Sequence, residues 1–250
     1  MSADKPFAPH PIEWNEENTN RLWNFYSSLP AMEKKYFGAR VGRHVARTLK
    51  RLGLLASVGR VVDFSCGTGS LIAACMPMLP PGARILGLDP STRSVDATEA
   101  RNRGAAAFEG ARVIEALPSS LPEGGADLML LTEVVEHLSD ERLDEVLAEC
   151  LRALAPGGRL FVTTPNGEDL DVERTICPEC GCTFHRWQHV RSWTAQSLAS
   201  RLSAVGFGPV EAREITWGNE LIDLGFSLLG RKKTGIYAVA TKPSADPRQH

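Results

Sequence analysis

From residue 60 onward, short apolar segments alternate with helical ones, and this alternation constrains the fold more than any other feature. Strands are predicted at 60–64, 84–88, 127–131 and 159–163, with a weaker strand near 105–108 or slightly later, and helices at 69–79, 91–103 and 139–154. Segment 127–131 is apolar almost throughout, as expected for a strand buried on both faces of a sheet. Strands that alternate with helices indicate a parallel sheet with helices on both faces, an α/β fold.

The flanking segments complete this domain. Apolar residues at helical spacing in 15–53 predict an N-terminal helical cover. Further elements are predicted at 194–205 (helix), 210–217 (strand), 219–229 (helix) and 235–241 (strand). Residues 1–11 are expected to be frayed. We therefore divide the chain into a helical cover (1–55), a main domain (56–243) with a Cys/His loop insert (165–193), and a tail (244–250).

Charge and cysteine usage limit the class of protein. Lys and Arg total 28 against 30 Asp and Glu, a net charge of −2, which excludes the strongly basic surface of proteins that grip long nucleic acids. No stretch approaches the roughly 20 apolar residues of a membrane span, and the first residues contain no apolar signal segment. Three of the six cysteines are scattered, which favours a reducing compartment. We expect a soluble cytoplasmic protein.

A glycine-containing turn follows the first strand of the alternating region. The sequence Val61 to Ser70 (VVDFSCGTGS) joins a strand to a helix through Gly67 and Gly69. Glycines allow a tight turn and close approach of a ligand to the backbone, and a helix N-terminus favours negative charge. Asp89 ends the next strand, where a carboxylate can accept both hydroxyls of a ribose. A dinucleotide-binding motif would need a third glycine where Ile72 stands, and a tight turn with a helix cap at Asp89 is the alternative.

A group of titratable residues follows the strand at 127–131. Glu133, Glu136 and His137 lie at the carboxyl edge of the sheet, where open α/β folds bind ligands. If 133–137 form a helical turn, the three side chains are neighbours, and a divalent cation would relieve the crowding of the two carboxylates. The alternatives are solvated glutamates beside a packed histidine, or His137 acting alone as a general base with a pKa near neutrality.

A cysteine cluster lies in the insert. Cys177 and Cys180 form a C-x-x-C pair followed by glycine, a turn that can offer two thiolates to zinc. Cys182, His185 and His189 are the next candidate ligands. Unliganded thiols are one alternative, and a redox pair is another, although the expected thioredoxin-like setting is absent.

Four segments together resemble the class I S-adenosylmethionine-dependent methyltransferases. They are Val61 to Ser70, Leu86 to Asp89, Asp127 to Leu131 and Leu154 to Leu160. The resemblance implies a Rossmann-like, seven-stranded, mostly parallel sheet and S-adenosyl-L-methionine as cofactor. It places Gly67 and Gly69 under the cofactor's amino-acid end and Asp89 on its ribose. The cofactor-binding residues it implies are Asp63, Ser65, Gly67, Gly69, Asp89, Pro90 and Glu133. Ser65 stands where these enzymes usually have glycine.

The E-x-x-E-H spacing resembles two subfamilies. One is the ubiquinone-biosynthesis O-methyltransferases, whose acceptor is a catechol. The other is the small-RNA 3′-terminal 2′-O-methyltransferases, in which this triad and a downstream histidine hold a metal over the terminal ribose diol. The match identifies His189 as that histidine, with Gln188 where the pattern has Asp. It implies Glu133, His137 and His189 as catalytic residues, and Glu133, Glu136, His137 and His189 as ligands of Mg²⁺ or another divalent cation. Cys177, Cys180, Cys182 and His185 remain as the zinc ligands.

These features predict an O-methyltransferase for one hydroxyl of a vicinal diol or catechol in a sugar or small metabolite. A cation that chelates both oxygens would lower the pKa of the acceptor hydroxyl. Two alternatives stay open. One is methylation of the 3′-terminal ribose of an RNA, with a terminal nucleotide as partner. The other is a non-catalytic module of the same fold that binds zinc and recruits partners.

Overall fold

The computed structural model describes residues 7–218, Gly225, Leu229 and 232–244. Most of the predicted helical piece at 219–229 and of the tail at 244–250 lies outside these residues. The elements, in chain order, are β1 (His10–Pro11), α1 (Glu16–Ser28), α2 (Pro30–Glu33), α3 (Phe37–Arg51), β2 (Arg60–Phe64), α4 (Ser70–Cys75), β3 (Arg84–Asp89), α5 (Thr92–Asn102), β4 (Phe108–Val113), β5 (Ala126–Thr132), α6 (Asp140–Ala153), β6 (Leu154–Pro165), β7 (Arg174–Ile176), β8 (Cys182–His185), α7 (Ala195–Val205), β9 (Val210–Ile215) and β10 (Gly235–Thr241).

The main sheet has seven strands in the order β4-β3-β2-β5-β6-β10-β9. All neighbours pair in parallel except β10, which runs antiparallel to both β6 and β9. The predicted seven-stranded, mostly parallel α/β fold is therefore confirmed. Strand order reverses between β2 and β5, so a crevice is expected beyond their carboxyl ends, where such sheets bind ligands.

Strand β5 lies at the centre of the core. Leu128, Met129, Leu130 and Leu131 are all fully buried. Met129 and Leu131 face the layer that contains α6 and α7, whereas Leu128 and Leu130 face the layer that contains α3 and α4. Since successive residues of a strand point to opposite faces, an uninterrupted apolar run belongs where both faces are covered.

Among the element boundaries that differ from the prediction are those of the helix at 69–79 and of the weak strand near 105–108. The predicted helix 69–79 ends as α4 at Cys75 and continues as a 3-10 turn at Met76–Met78, since Pro77 has no amide hydrogen to extend an α-helix. The weak strand expected near 105–108 begins at Phe108 and continues to Val113. No helix within the described residues is both long and apolar enough to cross a bilayer.

The insert carries a second sheet of three strands, in the order β1-β8-β7. Strands β7 and β8 form an antiparallel hairpin, and His10 and Pro11 pair in parallel with Cys182 and Thr183. The prediction that residues 1–11 are frayed is therefore wrong for His10 and Pro11. A parallel pair between such distant segments leaves no local pattern in the sequence.

Candidate active site

The turn after β2 is held in a left-handed backbone conformation at three positions. Ser65, Gly67 and Gly69 have φ angles of +67°, +54° and +70°. Asp89 fixes this turn, because its Oδ2 accepts the Gly67 amide at 2.9 Å and its Oδ1 accepts the Ser91 amide at 2.9 Å. Pro90, between Asp89 and Ser91, is exposed. We call residues 65–70 the donor turn.

The two glycines of the donor turn have different surroundings. A Cβ atom on Gly69 would lie 2.5 Å from Asn102 Nδ2 and 2.8 Å from Thr98 Cγ2, so this glycine is required for the packing of α5. A Cβ atom on Gly67 would meet no atom within 4 Å. Gly67 therefore borders open space and can present its backbone to a ligand.

Asp63, at the base of the donor turn, is a buried carboxyl group without a hydrogen-bond partner on either oxygen. Burial, reinforced by the charge of Asp89, raises the pKa of Asp63 to about 7. Burial also raises the pKa of Asp89, to about 6, against the lowering effect of the two amides that it accepts. An unpartnered buried acid is costly unless a cationic ligand completes it. The ammonium group of an amino acid fits this requirement.

The turn after β5 is not the helical turn that the triad hypothesis assumed. Glu133 has a φ of +52°, and the turn closes through the His137 amide, which donates to Val134 O at 3.0 Å. The Glu133 side chain accepts from Thr163 Oγ1 at 2.9 Å. Glu133 therefore turns toward β6 and away from a shared helical face with Glu136.

Glu136, His137 and His189 nevertheless come together. One potential ligand atom from each lies within 4.8 Å of the others, and we call these residues the ligand group. Glu136 is 1% exposed, and its Oε2 accepts from Thr164 Oγ1 at 3.1 Å. Its Oε1 has no hydrogen-bond partner and lies 3.9 Å from His137 Nε2. The buried oxygen and the two imidazoles are close enough together to share one cation.

The protonation states of the ligand group follow from its burial. Desolvation, together with the charge of Glu133, raises the pKa of Glu136 well above its usual value. Desolvation likewise raises the pKa of Glu133 to about 7. Desolvation and the neighbouring His189 lower the pKa of His137 to about 3. At neutral pH, His137 thus offers a lone pair but is a weak base, which argues against His137 as a solitary base titrating near neutrality.

Glu168 is a site residue that the sequence reasoning missed. Its carboxylate pairs with His189 Nδ1, and its Oε1 lies 3.5 Å from His185 Nε2. Glu168, His185 and His189 form a second group of ligand atoms within 4.8 Å of one another. Glu168 comes shortly after β6, at the carboxyl edge of the sheet beside β5. This position in the sequence could have identified it as a candidate site residue.

The structure does not bring His185 to the cysteines. His185 and Cys182 lie three positions apart on β8, and side chains at odd spacing on a strand point to opposite faces. His185 is buried, its ring stacks on His189 at 4.5 Å, and its Nδ1 accepts the His189 amide. His185 therefore lies with Glu168 and His189. Its place in a zinc set with the cysteines stays a prediction.

Helix α1 covers the ligand group through Gln188. Gln188 is buried with a left-handed φ of +62°. Its Nε2 donates to His137 O at 2.8 Å, and its Oε1 accepts from Trp23 Nε1 at 3.0 Å. Trp23 also packs edge-on against His137, with ring centroids 5.2 Å apart. An aspartate at 188 would have no donor for the His137 carbonyl, which gives the departure from the small-RNA pattern a physical reason.

This sheet order, a glycine turn after β2 and an acid at the end of β3 define the class I S-adenosylmethionine-dependent methyltransferase fold. A family model described as a methyltransferase domain matches residues 37–212, and the chain belongs to that family.

Relatives and solved structures agree with this assignment. A ubiquinone biosynthesis O-methyltransferase of Sinorhizobium medicae is 34% identical over 133 residues, which cover 52% of this chain and 50% of that protein. The chain thus spans about half the length of the curated relatives that it matches. The structure is similar to that of a SAM-dependent methyltransferase from Archaeoglobus fulgidus, with a TM-score of 0.60, 20% identity, and coverage of 85% of this chain and 98% of that one.

The fold alone does not set the reaction. The [4+2]-cyclase SpnF also matches, with a TM-score of 0.60, 18% identity, and coverage of 81% of this chain and 82% of that one. Because one fold can support unrelated chemistries, the function has to be argued from the site.

Proposed function

We propose that this chain is an S-adenosylmethionine-dependent O-methyltransferase that methylates one hydroxyl of a vicinal diol or catechol in a sugar or small metabolite, assisted by a divalent cation. The observation that carries the proposal is the ligand group, in which an unpartnered carboxylate oxygen of Glu136 meets His137 and His189 at the carboxyl edge of β5. The catechol-modifying type of reaction is favoured by the similarity to ubiquinone biosynthesis O-methyltransferases.

The cofactor would be held by the donor turn. Gly67 presents its backbone to open space, and Asp63 offers an uncompensated buried carboxyl group to the cofactor's ammonium group. Asp89 already accepts two amides, and a carboxylate has further lone pairs that can accept a ribose hydroxyl. Ser65 and Pro90 line the same end of the sheet. When bound, the cofactor supplies an electrophilic methyl group on a sulfonium.

The ligand group would hold the cation. One carboxylate and two imidazoles suit a transition-metal ion such as Mn²⁺ or Co²⁺ better than Mg²⁺, which prefers oxygen ligands. Such an ion, held by Glu136, His137 and His189, would lower the pKa of an acceptor hydroxyl.

Three neighbouring residues would support this chemistry. Glu168 binds His189 Nδ1 and so fixes the orientation of that ring. Glu133, whose pKa burial raises to about 7, suits the removal of a proton from the acceptor near neutral pH. Trp23, packed on His137, supplies an aromatic wall for the acceptor.

The test is a methyl-transfer assay with matched acceptors, using the full chain treated with chelator and then resupplied with Mn²⁺, Co²⁺ or Mg²⁺. We expect transfer to a catechol, loss of activity with chelator, and recovery on addition of metal, with little transfer to the corresponding monophenol. Activity that is indifferent to chelator, or equal on the two acceptors, would contradict cation-assisted transfer to a diol. Cofactor binding without turnover of any diol would instead support the non-catalytic module.

The RNA 3′-terminal ribose is the second candidate acceptor. It is favoured by one observation, the approach of the downstream histidine, His189, to Glu136 and His137. A short oligoribonucleotide with a free 3′-terminal diol belongs in the same assay, beside its 3′-deoxy counterpart. Faster transfer to the diol oligonucleotide than to catechol would make RNA the preferred acceptor.

A further inference from the structure

The cysteines of the insert lie in a tight turn between β7 and β8 that the proposed reaction does not use. The Cys177 amide donates to Cys182 O at 2.8 Å, and the Gly181 amide donates to Cys177 O at 2.9 Å. This pairing extends the antiparallel register in which Ile176 faces Thr183. Cys177 and Cys182 therefore lie directly opposite each other, with Cys180 in the turn that joins them. We call residues 177–182 the cysteine knuckle.

The N-terminal strand β1 places a histidine beside the cysteine knuckle. In the parallel pairing of β1 with β8, His10 is the register partner of Cys182. Directly paired residues of neighbouring strands present their side chains on the same face of a sheet. Cys177, Cys182 and His10 thus share one face, and His185 belongs to the other.

The chain near His10 passes closely over the knuckle. The His10 amide donates to Gly181 O at 3.0 Å. Gly181 has a φ of +79°, and a Cβ atom there would lie 2.5 Å from Ala8 O. Glycine is therefore required at 181 both for the turn and for the approach of the N-terminal strand.

The polar surroundings suit metal ligation. His10 Nδ1 lies 3.1 Å from Ala8 O, so the Nδ1–H group donates to that carbonyl and Nε2 keeps its lone pair. Histidine ligands of metals usually donate their second nitrogen to a carbonyl or carboxylate in this way.

We propose that Cys177, Cys180, Cys182 and His10 bind a structural zinc ion that fastens β1 to the insert. Three thiolates and one imidazole form a standard tetrahedral zinc set. His10 and Cys180 are exposed, so their side chains can turn onto an ion without disturbing the core. The ion would replace the sequence-based set that used His185.

The proposed ion has a structural consequence for the active site. Strand β1 leads directly into α1, which carries Trp23 to His137 and Gln188. An ion that fastens β1 to β8 would hold the N-terminal side of α1 on the insert, which α1 also contacts through Trp23 and Gln188. The proposal does not depend on the reaction at the ligand group, because the two sites share no residue.

The test is cobalt substitution of the full chain, which reports thiolate coordination through sulfur-to-cobalt charge-transfer absorption. We expect wild type to bind one equivalent in a thiolate-rich tetrahedral site, which the charge-transfer band distinguishes from any cobalt held by the ligand group, because that group contains no thiol. Cys180→Ser should weaken this band, and His10→Ala should alter the ligand-field bands and weaken zinc binding by at least about tenfold in competition with a chelator. His185→Ala should leave the thiolate band unchanged.

Two results would overturn the assignment. One is a sulfur-to-cobalt charge-transfer band that His10→Ala leaves unaltered while His185→Ala weakens it, and the other is wild-type protein without any such band under reducing conditions. Thermal unfolding in chelator checks that His10→Ala folds like wild type. Hydrogen exchange of residues 7–12 gives a second readout, with faster exchange expected on zinc removal and in His10→Ala.

Discussion

On one side of the crevice, the ends of β2 and β3 hold a donor turn made from one short stretch of chain and fixed by a single acid, Asp89. On the other side, the ends of β5 and β6 hold the ligand group, which comes from two separate segments. Glu136 and His137 belong to the turn at 133–137, and His189 belongs to the insert, where Glu168 pairs with it. The first is built mainly from backbone and glycine, and the second from buried titratable side chains. Substitutions in the ligand group should therefore lower the reaction rate, whereas substitutions of glycine in the donor turn should lower stability.

The largest effect is expected on the acceptor side. Glu136→Gln removes the unpartnered carboxylate oxygen at the centre of the ligand group, and we expect kcat to fall at least about 100-fold, since even residues behind metal ligands contribute 10- to 100-fold. Cofactor affinity, measured by calorimetry, should stay at the wild-type value. Glu141→Gln, an exposed glutamate in the first turn of α6, is the matched control. If Glu136→Gln also lost cofactor affinity, the proposal that the two sides of the crevice have separate roles would be wrong.

The next effect concerns the donor turn and is structural. Gly69 and Gly53 both have a φ of +70°, but only Gly69 has neighbours within 4 Å of a Cβ position. Alanine at either site costs about 1–2 kcal/mol in left-handed backbone strain. Gly69→Ala should lose about 1–3 kcal/mol more because it overpacks the contact with α5. Urea unfolding of the two variants measures the difference, and equal losses would show that the contact with Asn102 is not required.

The smallest effect is a pH dependence of cofactor binding. Burial raises the pKa of Asp63 to about 7, and a bound ammonium group favours its ionised form, so binding releases a proton below that pH. Affinity should therefore rise with pH and level off above 7, by about fivefold between pH 6 and pH 7. Asp63→Asn should flatten the profile, and the exposed Asp96→Asn on α5 should not. A wild-type profile without this slope would remove Asp63 from the cofactor site.

The same contrast explains what the sequence could and could not predict. The donor turn is one continuous stretch of chain, so its strand and its glycines could be recognised in the sequence, followed by the acid at the end of the next strand. The main sheet could be predicted from the alternation of strands and helices. The ligand group depends on where an insert folds back, and only His137 and Glu136 were fixed by local spacing. The left-handed backbone at Glu133, which turns its side chain toward Thr163, has no local signal in the sequence.

The insert shows the limit most clearly. The sequence analysis assigned His185 to the cysteines by spacing alone. It did not predict β8, in which alternate side chains point to opposite faces, so that His185 and Cys182 lie on different faces. His10 lies far from the knuckle in sequence, and its pairing with Cys182 depends on tertiary structure. Long-range pairing of short strands has no periodic signal, so sequence reasoning assigned these residues by proximity along the chain.

The insert leaves and rejoins the main domain at nearly one point. Asn166 and Trp193 form a parallel bridge, and the Gly167 amide donates to Trp193 O at 2.6 Å. A segment whose two ends meet can be exchanged without moving the strands beneath it, and this one contributes His189 and Glu168 to the proposed acceptor site. The proposed cofactor site, by contrast, belongs to the main sheet. Grafting another segment between Asn166 and Trp193 therefore offers a way to change the acceptor while keeping the cofactor site.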